Sequence, residues 1–260
     1  MTSSLDTLEV LCYASYMFKR EQPKISFVST VPGLENIEDA RPRPAGEFLP
    51  KWWKDMPKVD PDTGMGTIRV CPALPDFFND GYIMPMWADT TIKYDEKEDT
   101  WTTYSGKNGQ EFAWSIHYNE QALKHASFKT FGQAASFVFK AASPWKIITP
   151  KGWSVYQLPV FYHFDNDFSV MPGTRDTDIY HNINAQVLYF GDGKEITIKQ
   201  GQPFAQFIPF KRSKLESEVR YKTPEDERLF QTEQLRHATI FNNAVRGTYR
   251  KMQKRRDKEL

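Results

Sequence analysis

Hydrophobic and polar positions are most regularly ordered between Thr174 and Arg212, where three apolar runs are separated by turn residues. The first, Ile179 to Phe190, is rich in β-favouring residues and stops at Gly191-Asp192-Gly193. In the second, Ile196 and Ile198 alternate with Glu195, Thr197 and Lys199, the period of a half-buried strand. After Gln200-Gly201-Gln202-Pro203, the run Phe204 to Phe210 predicts a third strand.

Upstream, the pattern predicts further short strands. They are Leu8–Met17, Lys24–Thr30, Thr67–Cys71, Gly81–Trp87, Thr90–Tyr94, Trp101–Tyr104, Glu111–His117, Trp145–Ile148 and Trp153–Phe161. Pro85 marks the fourth as an edge or bulged strand. Residues 105–109 read as a loop, residues 74–79 as a turn or short helix, and residues 119–139 show no period. Strands this short and numerous predict a mainly β protein, a single sandwich or barrel of β-clip or jelly-roll type.

Two segments depart from that pattern. Residues 31–61 hold six of the seventeen prolines, with Pro23 just ahead, and so exclude a long helix or central strand. Within them Phe48 to Pro57 predicts a short helix with Pro50 in its first turn, and Trp52 and Trp53 as anchors against the body or a partner. At the other end, Thr223-Pro224-Glu225-Asp226-Glu227 is a helix start: a capping hydroxyl, proline at the first position, then acids. The stripe Leu229, Phe230, Leu235, Ile240, Phe241 and Val245 continues that helix toward Lys251, Lys254, Arg255 and Arg256. The organisation expected is an N-terminal strand and Pro-rich arm over 1–66, a β core over 67–212 and a basic helix over 213–260.

Composition narrows the classes. The chain has 260 residues, 40% hydrophobic and 26% charged, enough for a core without disulfide staples. Its net charge of +1 gives no global attraction to nucleic acid or membrane. The charge is uneven: residues 211–260 hold fourteen Lys or Arg against eight Asp or Glu, about +6, leaving about −5 for the rest. Cys12 and Cys71 have no metal spacing and read as free thiols. No signal peptide or membrane span is visible, so a soluble cytoplasmic or virion-associated protein is expected.

The series Asp176, Asp178, Tyr180, then Ile196, Ile198, Gly201, Ala205 and Gln206 resembles the β-clip core of dUTPases and dCTP deaminases. That resemblance implies an aspartate that activates water, at Asp176 or Asp178, Tyr180 against a base, and Mg²⁺ between phosphates and water. The family's Arg-Ser phosphate motif is absent between Trp153 and Phe168, and its Gly-rich C-terminal arm is replaced by the basic helix. A wider set is similar to an uncharacterised family of bacteria and tailed phages, including cyanophages. It comprises Arg41-Pro-Arg-Pro-Ala, Leu49-Pro-Lys-Trp-Trp-Lys-Asp-Met-Pro, Val70-Cys-Pro, Gly81-Tyr-Ile-Met-Pro, Thr149-Pro-Lys-Gly-Trp-Ser, Asp176-Thr-Asp-Ile-Tyr-His and Gly201-Gln-Pro-Phe-Ala-Gln-Phe-Ile-Pro-Phe-Lys-Arg.

A different chemistry is spelled by His163-Phe-Asp165, the His-x-Asp spacing of Fe(II)/2-oxoglutarate oxygenases. His237 and Arg246 stand at the distances of a third ligand and a cosubstrate-binding arginine, though His237 falls in the predicted helix. His117 and His125 lack acidic or thiol companions, and neither cysteine has a nearby base. The leading expectation is a phage-type structural or binding protein needing no cofactor, which contacts protein partners through Trp52, Trp53 and the basic helix. The partner is a virion or host protein, or a second copy, with weak non-specific nucleic-acid contact at most. The oxygenase and the nucleotide hydrolase are the alternatives.

Overall fold

The computed structural model describes residues 22–95, 97–98, 100–107, 110–111, 114–117, 121–130, 133–164, 166–191 and 195–242. Among the described residues, sixteen strands form three main sheets and a small ribbon. The first sheet is built on β10 (Phe137–Ile148), which pairs on one side with β14 (Asn182–Tyr189) and on the other with both β1 (Ser26–Ser29) and β7 (Trp114–His117). β12 (Phe168–Val170) closes the far side of β14. The second sheet runs β13 (Gly173–Arg175), β11 (Trp153–Pro159), β16 (Pro203–Lys211), β3 (Tyr82–Pro85) and β2 (Arg43–Pro44). In the third, β15 (Glu195–Ile198) joins β4 (Thr90–Asp95), β5 (Thr100–Lys107) and β6 (Gln110–Glu111), while β8 (Lys129–Thr130) and β9 (Gln133–Ala134) form the ribbon.

Period-two alternation makes these strands face one core. On β14, Ile183, Ala185, Val187 and Tyr189 are buried and the residues between them are half-buried. They meet Phe137, Phe139, Trp145 and Ile147 of β10, Phe204 and Phe207 of β16, Met84, Ile92 and Ile198 from the other strands, and Trp87 from the bend after β3. Each large side chain buried there contributes about 1.5–3 kcal/mol. The mainly β expectation is met, with one core shared by all three sheets.

Several element boundaries differ from the sequence pattern for local reasons. Residues 67–71 form a 3₁₀ turn, Ile68–Val70, instead of a strand, because the Thr67 hydroxyl caps it by accepting from Arg69 N. β5 runs through Ser105 and Gly106 to Lys107, where a loop is expected; Ser105 is buried and its hydroxyl pairs with Thr90 at 2.7 Å. β10 starts eight residues earlier than the Trp145 expected, and Pro144 hides its continuity. That proline sits where the register with β14 shifts, between Ala142 and Lys146, and its carbonyl accepts from Thr30. β3 is an interior strand, yet Pro85 lies opposite Pro203 at a second register shift, which spares the missing donor. The strand expected over Leu8–Met17 lies outside the described residues.

The Pro-rich segment wraps the body. Leu34 and Ala40 enter the core itself, Ala45 and Phe48 pack with Ile83, and the Trp145 indole donates to Ala40 O at 3.1 Å. The wrap then delivers α1 (Lys51–Asp55), with Pro50 as its N-cap, and, after the 3₁₀ turn, α2 (Ala73–Phe78). The chain ends its description in α3 (Pro224–Asn242), where Thr223 and Asp226 form a reciprocal cap: Asp226 N donates to Thr223 Oγ1, and Thr223 N to Asp226 Oδ2.

Gly81 starts β3 at φ +67°, and a Cβ there would stand 2.2 Å from Phe207 O. Gly81→Ala is therefore expected to cost about 2 kcal/mol or more, from left-handed strain plus displacement of β16. Urea denaturation monitored by tryptophan fluorescence measures this; a loss under 0.5 kcal/mol, well below that ~2 kcal/mol, would show that the contact relaxes freely.

Candidate functional site

The acidic corner and the aromatic anchors lie near opposite ends of β11. At its start, the turn 149–152 brings Gly152 N to 2.8 Å from Asp178 Oδ2, and Ser154 Oγ donates to Asp176 Oδ1 at 2.6 Å. Arg212, at the end of β16, completes the cluster. Its Nη1 and Nη2 grip the two Asp178 oxygens at 2.9 and 2.5 Å, and Nη1 lies 3.1 Å from Asp176. The Asp178 side chain is only 4% exposed, whereas Asp176 is open to solvent. Hydrogen bonding to Arg212, aided by Gly152 N–H, lowers the Asp178 pKa to about 2.

Around this ionic clasp the polar groups are paired. Thr149 and Thr177 share a hydrogen bond of 2.8 Å. His181 Nδ1 lies 2.9 Å from Thr177 O and 3.2 Å from Ile147 O. Facing two carbonyls, that nitrogen must carry the proton. Tyr180 and Ile179 point outward and are exposed. Asp176, Asp178 and Tyr180 thus follow one turn, so the strand expected from Ile179 begins only at Asn182, and Arg212 is the member that the sequence pattern did not reveal. With both oxygens engaged and a pKa near 2, Asp178 acts as a permanent anion that ties β16 to the turn; a general base works best with a pKa near the working pH.

At the far end of β11 the run Phe161-Tyr162-His163-Phe164 meets α1 and α2. The Trp52 indole donates to Tyr162 O at 2.8 Å, and Tyr162 adopts φ +66°, a left-handed conformation uncommon for a tyrosine. Trp52 lies 5.9 Å from Phe164 and 5.7 Å from Trp53, which packs tilted against Phe78 at 4.7 Å; Phe77 meets Phe161 at 5.5 Å. Trp53 and Phe78 are buried, so they form the base of a platform. Its outer face is Trp52, Tyr162, Phe161 at 42% exposure and Phe164 at 59%. The sequence pattern marks the two tryptophans but not the rings they meet; four consecutive ring-bearing residues just past a strand end are the signal that would have found them.

Of the iron ligands expected from the sequence, His163 and His237 fall on described backbone and Asp165 does not. His163 belongs to the platform loop, and His237 lies in α3. Asp165, Arg246, Lys251, Lys254, Arg255 and Arg256 lie outside the described residues. Among those described, no group of three His, Cys, Asp or Glu side chains is arranged to hold a metal ion, and no helix is long and apolar enough to cross a membrane.

No family model matches this chain, and no curated protein matches it. Its fold is similar to solved phage dUTPases. A variant of the dUTPase from phage phi11 of S. aureus, described with a structural Mg(II) ion, gives a TM-score of 0.33 at 8% identity, over 77% of this chain and 99% of that one. The dUTPase of Staphylococcus bacteriophage 80alpha gives the same TM-score and identity over the same shares. Likeness at that level says nothing of chemistry.

The clasp predicts a pH signature. The native Asp178 pKa, about 2, lies below the ordinary value of 3.8, so its stabilisation is fully present above about pH 5 and is lost as pH falls toward 2. Asp178→Asn should therefore lower the urea midpoint most near neutrality, the gap to the unaltered chain closing between pH 4 and pH 2. A gap that stays constant over that range would mean that the carboxylate's charge is not what Arg212 holds.

Proposed function

We propose that this chain works by binding another protein through the aromatic platform at the end of β11. The observation that carries the reading is the pairing of a fixed indole with uncovered rings. Trp52 is held by its bond to Tyr162 O, while Phe161 and Phe164 beside it remain open to water. Exposed apolar surface on a rigid base marks an interaction site, and aromatic anchors that are already ordered lose little entropy on binding. The Pro-rich wrap supports this reading, because it fixes α1 against the body and aims Trp52 outward. The finer form, in which the partner is a virion or host protein, rests on the sequence resemblance to an uncharacterised phage and bacterial family alone.

The test is photo-crosslinking in cells expressing the protein, with a photoreactive phenylalanine at position 164 and, as control, at the exposed Tyr104. A discrete adduct at 164 and none at 104 is expected, and Phe161→Ser should reduce it at least about tenfold, the effect of losing one binding anchor. Equal adducts at the two positions would overturn the reading. Hydrolysis of dUTP or dCTP with Mg²⁺, abolished by Asp176→Asn, would place the chain among nucleotide hydrolases instead. An absorbance band that requires Fe(II), 2-oxoglutarate and His163 would do the same for the oxygenases.

A further inference from the structure

The outer face of the first sheet carries cations and no acids. None of its five strands, β1, β7, β10, β12 and β14, contains an aspartate or a glutamate. Alternation turns Lys140, Ala142 and Lys146 of β10 away from the core, and Asn182, Asn184 and Gln186 of β14 with them. The register sets Lys140 opposite Gln186, Ala142 opposite Asn184 and Lys146 opposite Asn182. The two lysines therefore stand about 13 Å apart along β14, with the small Ala142 between them. Arg175 of β13 reaches β14 at the residue midway between them. Its Nη2 donates to Asn184 O at 2.6 Å and its Nε to Gln157 Oε1 at 2.8 Å.

These three side chains have no counter-ion among the described residues. Elsewhere on the body Arg43, Lys93, Lys199 and Arg212 each pair with a carboxylate. Lys146 donates to Asn182 Oδ1, and Arg175 holds two neutral acceptors with its Nη1 left over. Asp176 and Asp178, near Arg175 in sequence, are engaged by Arg212 instead. Burial lowers the Arg175 pKa, opposed by Tyr180 and by no carboxylate. A desolvated guanidinium without an anion is unfavourable, so an arriving carboxylate gains more there than on open surface.

We propose that this face docks an acidic segment of a partner protein, extended along β14 and carrying acids at alternate residues. The spacing of the cations selects that pattern. Lys140, Arg175 and Lys146 meet β14 at Gln186, Asn184 and Asn182, one cation for every second residue. Alternate residues of an extended chain lie about 6.6 Å apart on one side, so three carboxylates in the order acid-x-acid-x-acid reach the three cations together. The side-chain amides of Asn184 and Gln186 make no bond among the described residues, and they offer both donors and acceptors to the segment's peptide groups. A phosphate backbone fits less well. No Phe, Tyr or Trp takes an outward position on β10 or β14 to stack a base. Residues 1–210, at about −5, would also repel a long polyanion wherever it ran past the three cations.

The test is fluorescence anisotropy at low salt, about 50 mM, where screening is weak. A labelled peptide of about eight residues alternating Glu and Ser, long enough to span the three cations, is titrated with the full chain. The same peptide with Gln for Glu, and a labelled oligothymidylate of similar length, are titrated beside it. The Glu peptide is expected to bind with a Kd of about 100 µM or tighter, and the Gln peptide at least about tenfold more weakly. Lys140→Gln with Lys146→Gln leaves in place Arg175, which also joins the two sheets, and should weaken the Glu peptide about tenfold. Lys140→Arg with Lys146→Arg should bind like the unaltered chain, which separates loss of charge from loss of fold. Phe161→Ser, a platform variant, should leave the affinity unchanged, since this inference does not depend on the platform reading. Absence of binding by the Glu peptide would overturn the proposal, as would tighter binding of the oligothymidylate. So would an affinity that survives the double Gln variant, which would assign the peptide to Lys251, Lys254, Arg255 and Arg256.

Discussion

A single buried indole determines how the two ends of this fold are joined. Trp145 lies in the middle of the common core, where leaving its N–H unpaired would cost about 1–3 kcal/mol. It finds Ala40 O at 3.1 Å, and that bond draws the Pro-rich segment onto β10. From there the consequences are geometric. Arg43 and Pro44 pair with β3, Phe48 packs on Ile83, and α1 emerges where Trp52 meets Tyr162. A segment that forms little regular structure of its own is placed by the Trp145–Ala40 bond, by the pairing of Arg43 and Pro44 with β3, and by the buried apolar side chains Leu34, Ala40 and Ala45.

The two ends of β11 then differ in kind. The charged end is internally satisfied: Asp178 has Arg212 and Gly152, Asp176 has Ser154 and Arg212, and Thr149 has Thr177. Groups so fully engaged hold position. The aromatic end is the reverse, with a firm base and uncovered outer rings. Free energy remains to be gained by covering the second and little by disturbing the first. Residue types at a familiar spacing specify chemistry only together with their neighbours, and Arg212 changes what Asp178 can do.

The sequence by itself determined the mainly β class, the strands with period-two alternation, and the capped helix from Thr223. Each of these depends on neighbours in sequence: β14 buries every second side chain, and a capping hydroxyl needs only an N–H three residues on. Tertiary structure alone decided the rest. β10 is continuous through Pro144 because its register with β14 shifts there, and residues 105–107 are strand because Ser105 pairs with Thr90. Arg212 reaches Asp178 from 34 residues away, and Trp52 reaches Tyr162 from 110. Neither pairing has a periodic signal, because each is set by where separate strands end in space. The side chains that give this protein its clasp and its platform are brought together by packing.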